Sequence, residues 1–294
     1  MLRSSMILGA TLALFSAVGV AGEIDQFTAK LPAAEIVNKN VAARGGLQAW
    51  RSVQTMSMQG QLAAGGNQRT TLAVPGQGRG QNVVPPRPAQ EAELPFLLEL
   101  KRERKQRLEL QFNGKTAVQV YDGVNGWKLR PYLNRLQVEN YTDVELQSAA
   151  AQADLDGPLV DYVTKGTQIE LEGVEKVDGK DTYKLKLTLK NGRVTHVWID
   201  AQSFLETKIE GQPRLLDGTV HPVEVYYRDY RQVNGLQIPF VLETRVVSVA
   251  KTNLGIKDPS YPAEKITIEK VEVNPKLDET LFTKPVIPTS AAAK

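Results

Sequence analysis

The chain has 294 residues, of which 41% are hydrophobic and 23% are charged, the usual proportions of a globular protein. Its 36 basic and 33 acidic side chains give a formal charge of +3, a surplus too small to indicate a dedicated nucleic-acid-binding protein. It has no cysteine and two histidines, which excludes disulfides, thiolate metal sites and cysteine nucleophiles and leaves little material for histidine chemistry.

The first predicted element is an export signal. Arg3 precedes a short apolar run over residues 6–20, and the small residues Ala21 and Gly22 follow before Glu23. This order is typical of a cleavable secretory signal peptide, and the run is shorter than the roughly 20 residues that span a membrane. We therefore expect residues 1–22 to be removed and residues 23–294 to form one exported β-rich domain in the periplasm. With no cysteine at the cleavage point, a lipoprotein anchor is not expected.

A helix and a strand open the predicted domain. Residues 32–43 place Ile36, Val37, Asn40 and Val41 on one helical face, and two glycines follow that favour a helix end. After Val53 the apolar residues alternate with polar ones, as in a half-buried strand. Residues 64–93 are rich in Gly, Pro and Gln and predict a flexible insertion. Their G-x-G-x-G spacing does not fit the dinucleotide-binding motif.

The rest of the chain predicts strands, interrupted once by helices. Thr142 and Glu145 have the spacing of a capping box before an Ala-rich segment, and residues 159–163 (LVDYV) predict a second short helix. Asn-Gly pairs at 191–192 and 234–235 and the Asp-Gly pair at 178–179 predict hairpin turns. Near residues 269–270 the apolar positions change parity, which predicts a β-bulge that helps the sheet to curl.

One hairpin can be predicted residue by residue. If Asn191 and Gly192 form a two-residue loop, Leu187 lies opposite His196 and Leu185 lies opposite Trp198. These four side chains then share one apolar face, and the lysines between them share the other. The sequence thus predicts an α+β, β-rich fold, in which a curled antiparallel sheet is covered on its apolar face by a few helices around an apolar cavity.

Several segments resemble the LolA-like family of outer-membrane lipoprotein-sorting proteins. They are residues 42–60 (AARGGLQAWRSVQTMSMQG), 121–127 (YDGVNGW), 177–210 around the predicted hairpin, 227–240 (YRDYRQVNGLQIPF) and 266–282 (ITIEKVEVNPKLDETLF). The resemblance implies an incomplete β-barrel, or half-barrel, with helices over an apolar cavity that binds the acyl chains of lipoproteins. It also implies a functional arginine near Arg44, Arg51 or Arg69.

The residues predict an apolar binding site and no catalytic, cofactor or metal site. The candidates for the apolar cavity are Trp50, Trp127, Leu185, Leu187 and Trp198, although ordinary core packing explains each of them as well. His196 and His221 do not have the spacing of a zinc motif, and we find neither G-x-S-x-G nor H-E-x-x-H.

Two functions remain open from the sequence. The first is a soluble exported protein that binds lipid or acylated lipoprotein as a carrier or sensor. The second is an interaction or regulatory module of the cell envelope that binds a protein partner through its surface or through the insertion at residues 64–93 and has no lipid cargo. We expect neither an enzyme nor a nucleic-acid-binding protein, and no transmembrane segment after signal cleavage.

Overall fold

The computed structural model describes residues 31–65, 91–131, 135–216, 219–247 and 263–286. Its main feature is a sheet of 13 strands, in which each described pairing is antiparallel. The strands of the chain are β1 Thr55–Gly65, β2 Glu91–Lys101, β3 Lys105–Phe112, β4 Lys115–Tyr121, β5 Gly126–Arg130, β6 Arg135–Asn140, β7 Gln168–Val177, β8 Lys180–Thr188, β9 Val194–Asp200, β10 Glu206–Glu210, β11 Arg214–Leu216, β12 Thr219–His221, β13 Val223–Val233, β14 Leu236–Val246 and β15 Glu264–Val273.

The sheet is an open barrel, as predicted. Its order is β6-β5-β4-β3-β2-β1-β15-β14-β13-β10-β9-β8-β7, which leaves β6 and β7 as its two edges, while β11 and β12 form a separate ribbon. The predicted signal peptide lies outside the described residues, as does the predicted insertion from residue 66 to residue 90. The predicted insertion, residues 64–93, overlaps the end of β1 and the start of β2, since Gly65 pairs with Glu91.

Within the described residues, three α-helices accompany the sheet: α1 Ala33–Ala43, α2 Leu47–Ser52 and α3 Asp143–Gln152. Helix α1 buries Ile36, Val37, Asn40 and Val41, the face that the sequence predicts. Helix α3 begins with the predicted capping box, because Thr142 accepts a hydrogen bond from the backbone N–H of Glu145 and the Glu145 carboxylate accepts one in return. No helix in the described part of the chain is long and apolar enough to cross a membrane.

The predicted second helix at residues 159–163 is wrong. Residues 155–166 instead form a series of turns. We call residues 153–166 the strap. Asp161 lies at φ 52°, in the left-handed region, which interrupts any right-handed helix at that point. The turns allow the consecutive residues Leu159 and Val160 both to be buried.

The hairpin between β8 and β9 has a register that differs by one residue from the prediction. Thr188 pairs with Val194 and Leu185 pairs with Val197, and the Leu189 N–H donates to the Arg193 carbonyl. Gly192 lies at φ 81° while Asn191 is not left-handed, so the loop has three residues and ends in a glycine bulge. His196 and Trp198 therefore lie on the face opposite Leu185 and Leu187.

Other turns and the bulge agree with the prediction. Asn234 and Gly235 have φ angles of 49° and 83° and join Val233 to Leu236 in a two-residue loop. Strand β15 contains the predicted extra residue, since Gln59 pairs with Lys270 and Gly60 pairs with Ile268. A side chain at position 60 would meet the Thr267 carbonyl oxygen at 2.0 Å, so this close approach of β1 and β15 requires glycine.

The two faces of the sheet have different covers. We call the face that packs against α1 the inner face, and it carries the main apolar core. The opposite, outer face is crossed at β1–β3 by the C-terminal residues 274–286. There the Thr55 hydroxyl donates to the Pro275 carbonyl at 2.7 Å and Arg107 donates to the Leu281 carbonyl at 3.1 Å. Phe282, within this segment, is buried.

Candidate functional site

Three of the five predicted cavity residues meet on the inner face. Trp50 of α2 and Leu185 and Leu187 of β8 belong to one core cluster and are 2%, 0% and 0% exposed. The Trp50 indole N–H donates to the Arg44 carbonyl at 3.1 Å, and the Arg44 guanidinium lies 4.3 Å from the centre of its ring. This region, which we call the packed end, is filled by protein side chains and by the strap.

Trp198 lies on the outer face, apart from the packed end. Its neighbours are Val177 and Tyr226, and the Lys208 ammonium lies 3.8 Å from the centre of its ring. Its indole N–H donates to the Glu175 carboxylate at 2.8 Å. The prediction that Trp198 shares a face with Leu185 is wrong, because the three-residue loop changes the parity of the whole of β9.

Trp127 is also separate from the packed end. It packs on the outer face against Val118, Val120 and Leu129. It borders a surface depression of about 450 Å³, whose walls include Phe282 and Lys105. A second depression, of about 470 Å³, lies beside β7 at Gly173. His196 lies on the outer face too, with its imidazole nitrogens 2.9 Å from Glu210 and 3.3 Å from Glu172.

The strap is held over the packed end by ionic contacts to Asp156. This carboxylate is 2% exposed and accepts from Arg102 at 2.5 Å and from Lys165 at 2.6 Å. Arg44 donates to the backbone carbonyl of the same residue at 3.0 Å. Burial opposes the ionisation of Asp156, but hydrogen bonds from Lys165 and Arg102 outweigh it and hold the pKa of Asp156 below its ordinary value. The buried Asp156 carboxylate, which accepts hydrogen bonds from Arg102 and Lys165, therefore stabilises the strap in this position.

Behind the strap lies a buried polar cluster that the sequence did not predict. Arg44 and Glu206 face each other at 3.2 Å with almost no exposed surface, and the Tyr230 hydroxyl donates to the Glu206 carbonyl at 3.0 Å. Burial, followed by the charge of Glu206, raises the pKa of Tyr230 well above its ordinary value. Tyr230 thus remains protonated and continues to donate throughout the physiological range.

This cluster distinguishes two of the three arginines that the resemblance suggests. Arg44 lies at the centre of the packed end, between Trp50, Glu206 and the strap. Arg51 is near the surface and forms two hydrogen bonds to the Asp161 carboxylate of the strap. Arg69 lies outside the described residues. Both described arginines therefore contact the strap, but Arg44 alone of the two is buried.

Next to the packed end, the inner face carries apolar side chains that are only half-buried. We call them the open patch; they are Met58, Leu62, Leu98, Leu108, Leu110, Leu242 and Ile266. Strand pairing places them side by side, since Met58 lies opposite Leu98, and Leu98 lies opposite Leu108. Their alternation with polar residues is visible in the sequence, but their exposure is not. Neither surface depression described above borders this patch.

The side chains of the open patch are adjacent to one another. Side chains of one antiparallel sheet face lie about 5 Å apart, so these residues form a continuous apolar strip across β14, β15 and β1–β3. Removing apolar area from water contributes about 25 cal/mol per Å². Any contact made through the open patch would therefore be mainly apolar.

Comparison with known proteins relates the fold to solved structures. The sequence matches no family model and no curated protein. The structure is similar to a LolA superfamily protein from Nitrosomonas europaea, with a TM-score of 0.50 and 14% identity over 86% of this chain and 98% of that one.

Two further solved structures align equally well. A putative outer membrane lipoprotein-sorting protein domain from Vibrio parahaemolyticus has a TM-score of 0.50 and 13% identity, over 86% of this chain and 96% of its own. A DUF1329 family protein from Desulfovibrio piger has the same TM-score and identity, over 86% of this chain and 97% of its own. Together with the open sheet of 13 strands and the helices of the described residues, these alignments show that the chain has a LolA-like fold.

Proposed function

We propose that the protein binds the acyl chain of a lipid or of an acylated lipoprotein on the open patch. In this proposal it is an exported carrier or sensor of the bacterial cell envelope and catalyses no reaction. The observation that carries the proposal is the strip of seven half-buried apolar side chains on the inner face, directly beside a closed core. The apolar N-terminal segment supports export, and the LolA-like fold is consistent with such a role.

The magnitude of the apolar effect supports an acyl chain as the ligand. Each methylene that leaves water contributes about 0.8 kcal/mol. A chain that covers several of the leucines on β2 and β3 would therefore contribute several kilocalories per mole, enough to offset the cost of immobilising it. The packed end supplies a rigid support, since Leu185, Leu187 and Trp50 leave that part of the inner face filled.

The alternative function, a module that binds an envelope protein without lipid, uses the same surface. An apolar protein segment would cover the open patch as an acyl chain does. The two proposals differ in what remains bound to the native protein, so the first experiment is to purify it without detergent and extract it with organic solvent. Acyl lipids in stoichiometric amount by mass spectrometry are the expected result, whereas a co-purifying protein without lipid would support the alternative.

The second experiment tests the site with a matched pair of variants on β2. Leu98 and Leu97 are adjacent and both half-buried, but Leu98 lies on the inner face and Leu97 on the outer face. We expect Leu98→Gln to weaken binding of the neutral fluorescent probe Nile red by about tenfold, and Leu97→Gln to leave it unchanged. Equal effects of the two variants, or no binding by the unmodified protein, would contradict the proposed site.

A further inference from the structure

Beyond the open patch, the inner face of the neighbouring strands β4 and β5 carries basic side chains. On the inner face, Leu110 of β3 lies opposite Ala117 of β4. Val118 lies opposite Leu129 on the outer face, so the next position, Arg130, lies beside Ala117 on the inner face. Two strand spacings of about 4.8 Å place Arg130 roughly 10 Å from Leu110. An acyl chain on the patch would thus have its end within reach of Arg130.

Arg130 has hydrogen-bonding capacity that the described residues do not use. One terminal nitrogen donates to the Glu139 carboxylate of β6 at 3.0 Å. The Nε–H is buried and makes no hydrogen bond within the described part of the chain. A buried donor without a partner is costly, and a charged donor more so, because it has lost its hydration without compensation. An oxygen acceptor from a ligand would relieve that cost.

The surroundings of Arg130 carry more positive than negative charge. The described inner-face side chains of β4, β5 and β6 include three cations, Lys115, Lys128 and Arg130, but one carboxylate, Glu139. Lys128 is occupied by Glu145 of α3, with both carboxylate oxygens within 2.6 Å of its ammonium. Lys115 is exposed and has a distant contact, at 3.5 Å, to the Pro131 carbonyl. Arg130 and Lys115 therefore remain the cations best able to take an anion.

From this geometry we propose that Arg130 binds the anionic head group of the lipid whose acyl chain lies on the open patch. The ligand class is an amphiphile with a carboxylate or phosphate head, and Lys115 is the nearest additional cation. This inference rests on the proposed function, because it assigns the polar end of the same ligand. The guanidinium is suited to the role, since it offers several donors in a planar fork that matches both oxyanions.

The test compares ligands that share one chain and differ in the head. Palmitate, hexadecyl phosphate and neutral 1-hexadecanol are each used to displace Nile red from the full protein. The unmodified protein is expected to bind the better of the two anions at least about tenfold more tightly than the alcohol. Which anion binds more tightly distinguishes a carboxylate from a phosphate head group.

Three variants locate the anion preference. Arg130→Gln is expected to abolish the preference for anions, because it should weaken binding of the anions far more than binding of 1-hexadecanol. Arg130→Lys is expected to retain part of the preference. Lys186→Gln is the matched control, because Lys186 is on the outer face and pairs with Glu170 at 3.1 Å. Thermal unfolding of each variant verifies that it is folded. If Arg130→Gln does not fold, the anion preference of Arg130→Lys still tests the role of Arg130.

The outcomes separate this inference from the proposed function. Equal affinity of the unmodified protein for anion and alcohol would overturn the role of Arg130 and leave acyl binding intact. An anion preference that survives in Arg130→Gln would overturn it as well. Failure to bind any of the three amphiphiles would overturn the proposed function, and the head-group site with it.

Discussion

The inner face of one sheet is used in two different ways. At the packed end, Leu185 and Leu187 are fully buried beneath α1 and the strap. On the open patch, Leu98 and Leu108 of the same sheet face remain half-buried. Both regions have the alternating pattern of a half-buried strand, so the pattern does not distinguish them. The positions of the helices and the strap, rather than strand composition, therefore separate the filled core from the half-buried open patch.

Removing a side chain from the packed end should have the largest effect on stability. Leu185→Ala leaves a cavity in a filled core, and we expect the free energy of unfolding to fall by about 2–5 kcal/mol. Urea denaturation measures this change. A loss below about 1 kcal/mol would show that the packed end is loosely filled and would remove the contrast with the open patch.

Loosening the strap should have the next largest effect. Asp156→Asn keeps the shape of the side chain but removes the charge that faces Arg102 and Lys165. We expect a loss of about 1–3 kcal/mol in the free energy of unfolding, because both cations lose a strong acceptor. Hydrogen exchange should show faster exchange in residues 153–166 than in β8. Unchanged exchange in the strap would mean that its apolar residues suffice to hold it.

A truncation in the open patch should have a smaller effect on stability and a larger one on binding. Leu108→Ala removes a half-buried side chain, and we expect it to cost about 1 kcal/mol of unfolding free energy. Nile red affinity should fall, whereas Leu185→Ala should leave the affinity of the folded fraction close to its original value. The reverse order of affinities would place the ligand at the packed end.

The smallest expected effect is the pH dependence at α3. Partial burial opposes ionisation of Glu145, but hydrogen bonds from Lys128 and Thr142 prevail and lower its pKa. A lowered folded pKa contributes stability that is present above the unfolded value of about 4.3 and is lost as the pH falls through the folded pKa. Because the carboxylate is partly exposed, the contribution should stay below about 1 kcal/mol.

Glu145→Gln isolates that contribution, because glutamine also completes a capping box. Below about pH 4.3, the free energy of unfolding, measured in urea, should fall less steeply with decreasing pH in the variant than in the unmodified protein. If both curves have the same slope there, the ion pair with Lys128 does not contribute to the stability of α3. The neighbouring open patch should bind Nile red equally in both proteins at neutral pH.

Local sequence was sufficient where a few adjacent residues decide the geometry. The Thr142–Glu145 capping box, the Asn234-Gly235 turn and the bulge at residues 269–270 all follow from short-range chemistry and agree with the structure. The buried face of α1 follows from helical periodicity, because one face of the helix is apolar. The half-barrel follows from the accumulated strands, turns and segments that resemble the LolA-like family.

Tertiary packing decided the points at which local signals allow two answers. Strand β9 has apolar residues at both parities, so either Val197 and Ile199 or His196 and Trp198 could face the core. The three-residue loop at Asn191 places Val197 and Ile199 inside, where they meet Leu185 and Tyr183. The buried pair Arg44–Glu206 is likewise invisible in the sequence, since 162 positions separate its members and only chain folding brings them together. Short-range chemistry therefore decided most elements and turns, whereas long-range contacts decided which faces became core, surface and candidate site.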